Sequence, residues 1–383
     1  MNTVVGKKVG KEHLYTLTAI RGLAFISVFL CHADVFGVFA ILGAWGVEVF
    51  FVLSGFLMAY SYFGTNRIVK ISLKQNAKFT YKKIMDLYPL YIILTGIEFI
   101  FIYFIHGDSF TRLSVVNIIL NVLLLQTWVP IEGVFTINGP AWFLCTLILA
   151  YFLFPWILNL MENAYSRRKA IVMITAIFGM ELIVGGALTG LACVIGRDLS
   201  SAIYQFPIFR FLDFFLGCNL FYIYKDHKIR EENTYVLLEI FATIVVVITL
   251  VLGEWQILLG SIYIGEVEID RWWVLTIMNV PSACLIIYLG ALGKGKISHF
   301  LNKKKSVMYI SKISKYAFLI HQAVFYFLGV ICFHLPVIGG EQFYNTSSKW
   351  INLTIGFIIT ILLSEVWNRV ANYVMRGRLN YDK

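Results

Sequence analysis

Residues 21–57, RGLAFISVFLCHADVFGVFAILGAWGVEVFFVLSGFL, decide the fold of this chain. The stretch contains two long apolar segments, and its ionisable residues are Arg21, His32, Asp34 and Glu48. Apolar segments of about 17–25 residues are long enough to cross a bilayer as helices. An ionisable side chain inside hydrocarbon costs about 2.5–3.5 kcal/mol even on lenient insertion scales. We therefore predict membrane helices and treat the four ionisable residues as functional candidates.

The spacing of Arg21 and His32 places both on one side of the first helix. They are 11 residues apart, which is about three helical turns with only ~20° left over. Their Cα atoms are therefore ~16 Å apart along the axis. A cation at one depth and an imidazole at another suit a ligand that lies lengthwise across a membrane.

The composition indicates a polytopic membrane protein of the all-α class. The 383 residues are 59% hydrophobic and 14% charged, whereas about 25% of the residues in a soluble domain are charged. The net charge of +10 is distributed among loops, so we do not interpret it as a nucleic-acid surface. The six cysteines show no zinc-binding spacing, and we expect them to be small core residues and expect no metal site.

Ten apolar segments are long enough to be transmembrane spans. They are residues 14–33, 38–63, 87–105, 139–160, 169–190, 207–224, 235–252, 273–290, 314–333 and 350–367. An eleventh candidate, 113–128, is short and contains Asn117 and Asn121. If 113–128 does not cross the membrane, basic loops alternate with acidic or neutral loops along the chain. All the basic loops then face the cytoplasm, as the positive-inside rule requires.

We therefore predict one integral-membrane domain over residues 1–383, a bundle of about ten spans with both termini cytoplasmic. Its core is 14–370, and residues 1–13 and 371–383 are cytoplasmic tails. We interpret 14–33 as a retained span and not as a signal peptide. Segment 113–128 would be re-entrant or lie along the outer surface.

A stripe of lysines is predicted in the loop 64–86, at positions 70, 74, 78 and 82. A helix would place this i,i+4 series on one face. The stripe would contact lipid headgroups, at about 1 kcal/mol per lysine, or receive a polyanionic cytoplasmic donor. The two interpretations are compatible.

The predicted topology places the polar residues in two clusters. The outer cluster contains His32, Asp34, Glu48, Asn138, Trp142 and Arg210, and the inner cluster contains Arg21, Lys83, Tyr88 and His321. A histidine paired with a carboxylate is suited to remove a hydroxyl proton as a general base. A nearby arginine would stabilise an oxyanion or bind an acidic sugar.

Each of these residues also has a structural interpretation. His32 and His321 would serve as hydrogen-bonding struts between helices, and Arg21 would extend its guanidinium towards the interface. Asp34 would be a loop residue, and Trp142 an interfacial anchor. Arg210 would simply pair with Asp213.

Six motifs resemble those of the acyltransferase-3 family of bacterial membrane O-acyltransferases. They are AIRGLAFISVFLCH (19–32), GAWGVEVFFVLSGFLMAY (43–60), KKIMDLYPLY (82–91), NGPAWFLCTLILAYFLFP (138–155), FPIFRFLDFFLGCNL (206–220) and ISKYAFLIHQAVF (313–325). The resemblance covers nearly all of 14–370. It departs at Asp86, where the family often has arginine, and at Leu147, where it often has glutamate.

The resemblance implies transfer of an acyl group, usually acetyl, from cytoplasmic acetyl-CoA to a hydroxyl of an extracytoplasmic glycan. It implies acetyl-CoA as a co-substrate without a permanently bound cofactor, a bacterial cell-membrane location and polysaccharide-biosynthesis partners. By position, Arg21 and His32 take the family's paired functional role and Glu48 its acidic site. Arg210 and His321 match a later arginine and histidine.

Our main hypothesis is a membrane O-acyltransferase in which His32, Glu48 and Arg21 are catalytic. The acceptor or oxyanion side would contain Arg210, Asn138, Trp142 and Asp34, and the donor side Lys83, Tyr88 and His321. Direct transfer and a transient acyl-enzyme both stay open. The alternatives are a carrier that moves an acyl donor or lipid-linked sugar without chemistry, and a regulatory relative that has lost turnover.

Overall fold

The computed structural model of the chain describes residues 14–33, 40–65, 71–105, 112–129, 136–195, 204–227, 231–259, 262–264, 267–269, 271–333, 337–338, 341–342 and 350–381. The helices in this part of the chain are α1 (Tyr15–Ala33), α2 (Ala40–Tyr62), α3 (Leu73–Ile84), α4 (Tyr88–Ile100), α5 (Arg112–Val122), α6 (Trp142–Asn163), α7 (Arg167–Ile195), α8 (Pro207–Lys225), α9 (Glu232–Leu259), α10 (Arg271–Leu292), α11 (Lys296–Asn302), α12 (Lys305–Phe333) and α13 (Phe357–Tyr381). A π-helical turn, Phe101–Ile105, follows α4, and another, Asn352–Gly356, precedes α13.

The predicted all-α class is confirmed. The strands among the described residues form two very short antiparallel pairs, β1 (Ile262–Ile264) with β2 (Val267–Ile269) and β3 (Val337–Ile338) with β4 (Glu341–Gln342). Each strand has two or three residues, and the core is built from the apolar faces of the helices.

Several helices are long and apolar enough to cross a membrane. Six of the described helices meet this condition, and the number rises to eight if two bent pairs each count as one span. The bent pairs are α3 with α4, at 62°, and α10 with α11, at 75°. The chain is therefore a multi-helix membrane protein, while ten spans and cytoplasmic termini stay predictions.

The segment 113–128 does not form a long helix. Helix α5 has 11 residues, about 16 Å at 1.5 Å per residue, whereas the hydrocarbon core is about 30 Å thick. Leu124 then takes a left-handed backbone conformation at φ 54°, and the chain continues in a single 3₁₀ turn, Gln126–Trp128. This length agrees with the prediction that the segment does not cross.

The predicted lysine stripe lies on α3, a short amphipathic helix. Its Lys74, Lys78 and Lys82 are exposed, and its opposite face buries Asn76 and Thr80. The Asn76 Nδ2 donates to the Phe152 carbonyl of α6, 2.9 Å away. The stripe is therefore held on a fixed face of the protein; Lys70 lies outside the described residues.

Glycines bring the central helices into backbone contact. A Cβ at Gly55 of α2 would lie 1.8 Å from the Phe214 carbonyl oxygen of α8, and one at Gly217 of α8 would lie 1.9 Å from the Val52 carbonyl oxygen of α2. Small residues allow membrane helices to approach this closely. Seven residues before these glycines in each helix, Glu48 of α2 contacts Arg210 of α8. The contacts therefore follow the same order along both helices, so α2 and α8 are parallel.

Helices α1 and α12 also pack in parallel. A Cβ at Gly22 would lie 2.6 Å from the Val307 carbonyl oxygen. Further along the same pair, Arg21 contacts Ser311 and His32 contacts His321. The two helices therefore stay in register over most of their shared length.

Candidate active site

The centre of the site is a pair of histidines from α1 and α12. The Nε2 of His321 lies 2.9 Å from the Nδ1 of His32, and the Nδ1 of His321 lies 3.2 Å from the Ala317 carbonyl oxygen. A carbonyl only accepts, so the Nδ1 of neutral His321 carries the proton and its Nε2 accepts from His32. His32 is then protonated on Nδ1, and its Nε2 retains a lone pair.

This arrangement corrects the prediction for His321. We predicted it in an inner cluster beside Arg21, because the span appeared to begin at residue 314. Helix α12 begins at Lys305, so His321 is 16 residues into its helix, while His32 is 17 residues into α1. In parallel helices these positions have nearly the same height.

Aromatic rings enclose one member of the pair. His321 is fully buried, and its ring centroid lies 5.8–6.3 Å from those of Phe25, Phe29, Phe318 and Phe325. Such packing limits rotation of the ring. His321 is therefore a fixed partner that orients His32.

The other member of the pair faces a cavity of about 340 Å³. The exposed side of His32 contributes to its wall, and the lining also includes Val47, Trp142, Tyr204, Phe318 and Gln322. A volume of this order is within the range of small-ligand pockets. The lone pair of His32 is thus available to a ligand and not only to a neighbouring helix.

Asn138 and Trp142, both predicted on the acceptor side, flank this cavity. The Nδ2 of buried Asn138 donates to Glu98 at 2.9 Å and to the Leu319 carbonyl at 3.1 Å, which links α4 and α12 next to the histidine pair. Trp142 lines the cavity and lies 5.1 Å from Tyr204 between ring centroids. Asp34, the remaining outer candidate besides Glu48 and Arg210, lies outside the described residues.

Arg21 occupies the other end of the α1–α12 contact. Its Nε donates to the Ser311 hydroxyl and its Nη2 to the Ser311 carbonyl, both at 3.0 Å. Ser311 precedes His321 by ten residues and Arg21 precedes His32 by 11. The predicted same-face arrangement of Arg21 and His32 is confirmed, and α12 carries a matching partner for each.

Glu48 does not pair with His32, contrary to our prediction. Its Oε2 accepts from Arg210 at 3.0 Å, and Arg210 also donates to Asp213 at 2.8 Å. The same guanidinium donates to the Thr276 hydroxyl at 3.0 Å and to the Tyr204 carbonyl at 2.6 Å. All of its donating nitrogens are therefore engaged inside the bundle.

Arg210 lies behind the cavity wall and does not line it. Its Cζ is 4.8 Å from the centre of the Tyr204 ring, and Tyr204 itself lines the cavity. The guanidinium thus supports the wall through Tyr204. Direct contact with an oxyanion, as the sequence predicted, would require Tyr204 to move.

The predicted donor-side residues are spread apart. The Nζ of Lys83 lies 5.0 Å from the centre of the Tyr62 ring, and the Tyr88 hydroxyl donates to the Val122 carbonyl at 2.8 Å. Asp86, the departure from the family pattern, forms an ion pair with Lys315 of α12. Tyr88 therefore anchors the end of α5, and the structure joins none of these residues to His321.

Sequence reasoning missed three buried carboxyl groups, those of Glu98, Glu181 and Glu239. Glu98 of α4 is 1% exposed and bonds to Asn138, and Glu181 of α7 is 4% exposed. Each stands in an apolar segment, so the rule that selected Glu48 would also have selected them. The role of Ser311 as a partner of Arg21 had no comparable signal, because serine is common in membrane helices.

Comparison with known proteins agrees with the earlier resemblance. The family model of the acyltransferase-3 domain, described as "Acyltransferase domain", matches residues 14–366. The acyltransferase MdmB of Streptomyces mycarofaciens is 28% identical over 169 residues, which are 40% of this chain and 42% of that relative. No solved structure matches this chain. Since the family model covers most of the sequence, the chain belongs to the acyltransferase-3 family.

Proposed function

We propose that this protein transfers an acyl group, acetyl first of all, from cytoplasmic acyl-CoA to a hydroxyl of an extracytoplasmic or lipid-linked glycan. The observation that carries the proposal is that His32 lines a cavity while His321 holds its Nδ1, and that its Nε2 has no hydrogen-bond partner among the described residues. A general base needs this combination of a fixed tautomer and an accessible lone pair. The family membership supplies the reaction class.

The reaction balances with His32 as the only proton carrier. Its Nε2 takes the proton of the acceptor hydroxyl while the oxygen attacks the thioester carbonyl and forms the new C–O bond. The C–S bond then breaks, and the leaving thiolate receives the proton from the His32 imidazolium. Throughout the reaction, His321 Nε2 accepts a hydrogen bond from the Nδ1–H of His32 and so keeps the His32 ring oriented.

The cavity wall suits a sugar. Trp142 offers an aromatic surface, and the Gln322 side chain, whose Nε2 donates one hydrogen bond to the Tyr326 hydroxyl, offers its amide oxygen and its second N–H beside the histidine pair. Sites for small ligands combine such apolar surfaces with a few polar groups that set orientation. We assign the acceptor to this wall, with Asn138 and Arg210 as supports.

The donor would enter from the opposite end of the α1–α12 contact. Arg21 lies about 16 Å from His32 along the helix axis. Three exposed lysines lie near Arg21: Lys303 and Lys304 precede α12, and Lys305 is its first residue. Positive side chains bind the phosphates of an acyl-CoA. In this proposal α1 spans the inner membrane of a bacterium, and Arg21 guides the pantetheine arm towards His32.

The test compares His32→Ala with His299→Ala, an exposed histidine of α11. Membranes that contain each variant are given labelled acetyl-CoA, and the label on the glycan fraction is measured. We expect at least a roughly 100-fold loss for His32→Ala, the usual size of a lost general base, and no change for His299→Ala. Normal transfer by His32→Ala at equal protein level would refute the proposal.

The same assay separates the two alternatives. A carrier would move an acyl donor or lipid-linked sugar across proteoliposomes without attaching label to an acceptor. If the protein is a regulatory relative that has lost turnover, the parent protein would neither transport a substrate nor attach label to an acceptor. Covalently bound label in the presence of purified parent protein excludes both.

A further inference from the structure

A second buried polar cluster lies away from the histidine pair, between helices α2, α7, α8 and α10. It contains Glu48, Arg210, Asp213 and Glu181, all 4% exposed or less. We call this set the carboxyl cluster. It holds three carboxyl groups and one guanidinium, so full ionisation would leave a net charge of −2 inside the membrane bundle.

Hydrogen-bond geometry shows where the charges are compensated. Arg210 Nη1 donates to Glu48 Oε2 at 3.0 Å and to Asp213 Oδ2 at 2.8 Å. The Asp213 carboxyl group is also within hydrogen-bonding reach of both Glu48 and Glu181. Two ionised carboxylates only accept, so a hydrogen bond between carboxyl groups requires a proton on one of them.

The carboxyl oxygens that do not contact Arg210 also require protons within the carboxyl cluster. Glu48 Oε1 and Asp213 Oδ1 are buried without a donor among the described residues. A buried acceptor without a donor is rare and costly. A proton on Glu48 and another on Glu181 would each supply a donor to Asp213, which leaves a single ionised carboxylate beside a single guanidinium.

The neighbouring groups do not provide another countercharge. Tyr204 offers its ring and its carbonyl to Arg210, and Thr276 of α10 offers a neutral hydroxyl. Cys284 of α10 is a further titratable group in electrostatic range. Among the described residues, Arg210 is thus the cation of the cluster.

We propose that the carboxyl cluster stores two protons, on Glu48 and Glu181, and that Asp213 alone is the ionised partner of Arg210. Glu48 is then a neutral hydrogen-bond donor and a positioning residue that holds Arg210 under Tyr204. This role differs from that of a carboxylate assisting His32. The positioning role rests on the proposed function, but the measurements of charge and stability that test the stored protons do not.

The test uses isosteric amides. In Glu48→Gln and Glu181→Gln, the amide donates to Asp213 as the protonated carboxyl group does, so we expect a folding equilibrium within about threefold of the parent. Asp213→Asn leaves the guanidinium buried without an ionised partner, and we expect a shift of the folding equilibrium of roughly 100-fold or more. Thermal unfolding of each detergent-purified variant measures this contrast.

Infrared spectroscopy of the purified protein provides the second readout. Each glutamine variant should lose part of the C=O stretch of protonated carboxyl groups at neutral pH, and a control Glu162→Gln in the exposed end of α6 should not. An unchanged band in Glu48→Gln and Glu181→Gln would overturn the inference.

The two proposals fail separately. Full transfer by His32→Ala would refute the proposed function but would leave the infrared band and the stability contrast untouched. Loss of the contrast between Glu48→Gln and Asp213→Asn would refute the stored protons even if His32→Ala were inactive.

Discussion

His32 and His321, separated by 289 positions in the sequence, form a hydrogen bond of 2.9 Å between Nδ1 and Nε2. The Ala317 carbonyl sets the tautomer of His321, and His321 in turn sets that of His32. In the proposed mechanism, the buried imidazole of His321 would perform the orienting role that a carboxylate has in base-assisted acyl transfer. Substitution of either histidine should therefore disturb the tautomer or the orientation of the pair.

Replacement of His321 tests the orienting role. His321→Ala removes the acceptor for His32 Nδ1–H, so the wrong tautomer becomes accessible and we expect a roughly 10²–10⁴-fold loss of kcat. His321→Gln retains a side-chain acceptor and should recover part of this loss. Label transfer at saturating acetyl-CoA, with protein level as the control, measures the difference; equal activity of the alanine variant and the parent would contradict the role.

Substitution of Gly55 tests whether the close approach of α2 and α8 at Gly55 and Gly217 holds the carboxyl cluster together. Gly55→Ala places a Cβ 1.8 Å from a backbone oxygen, so α2 and α8 must separate. We expect a loss of about 1–3 kcal/mol, typical of overpacking, seen as a lower melting temperature in detergent. Gly96→Ala is the matched control, because a Cβ at Gly96 of α4 meets nothing within 4 Å; equal destabilisation of both variants would show that the close approach is unimportant.

The Arg21–Ser311 contact tests the donor end. Ser311→Ala removes one of two hydrogen bonds to the guanidinium, a net effect of about 1 kcal/mol, and Arg21→Ala removes the cation itself. If Arg21 binds the donor, the apparent KM for acetyl-CoA rises in both variants and more strongly in Arg21→Ala. A change in kcat alone, with KM constant, would place Arg21 elsewhere in the mechanism.

Asp86 tests the departure from the family pattern. Its ion pair with Lys315 leaves 33% of the Asp86 side chain and 40% of the Lys315 side chain exposed, and such exposed pairs contribute about 0–1 kcal/mol. Asp86→Asn should therefore leave the melting temperature nearly unchanged. Asp86→Arg would restore the cation that the family often has there, and we expect a lower KM for acetyl-CoA; a higher KM would show that the Asp86–Lys315 pair is itself part of the donor path.

Local features of the sequence determined the helices. The lengths of the apolar segments predicted the helical positions, and every predicted span overlaps a helix in the described part of the chain. The 11-residue spacing alone placed Arg21 and His32 on one face, because the helical period depends only on the backbone. The family motifs identified the acyltransferase-3 family.

Only the tertiary structure decided the partners. Glu48 bonds to Arg210 across 162 positions and His32 to His321 across 289, and these pairings depend on which helices are adjacent and how they are staggered. The glycine contacts of α2 with α8 and of α1 with α12 set that stagger. Periodicity within one helix contains no information about the height of another, so no local pattern could have revealed either pair.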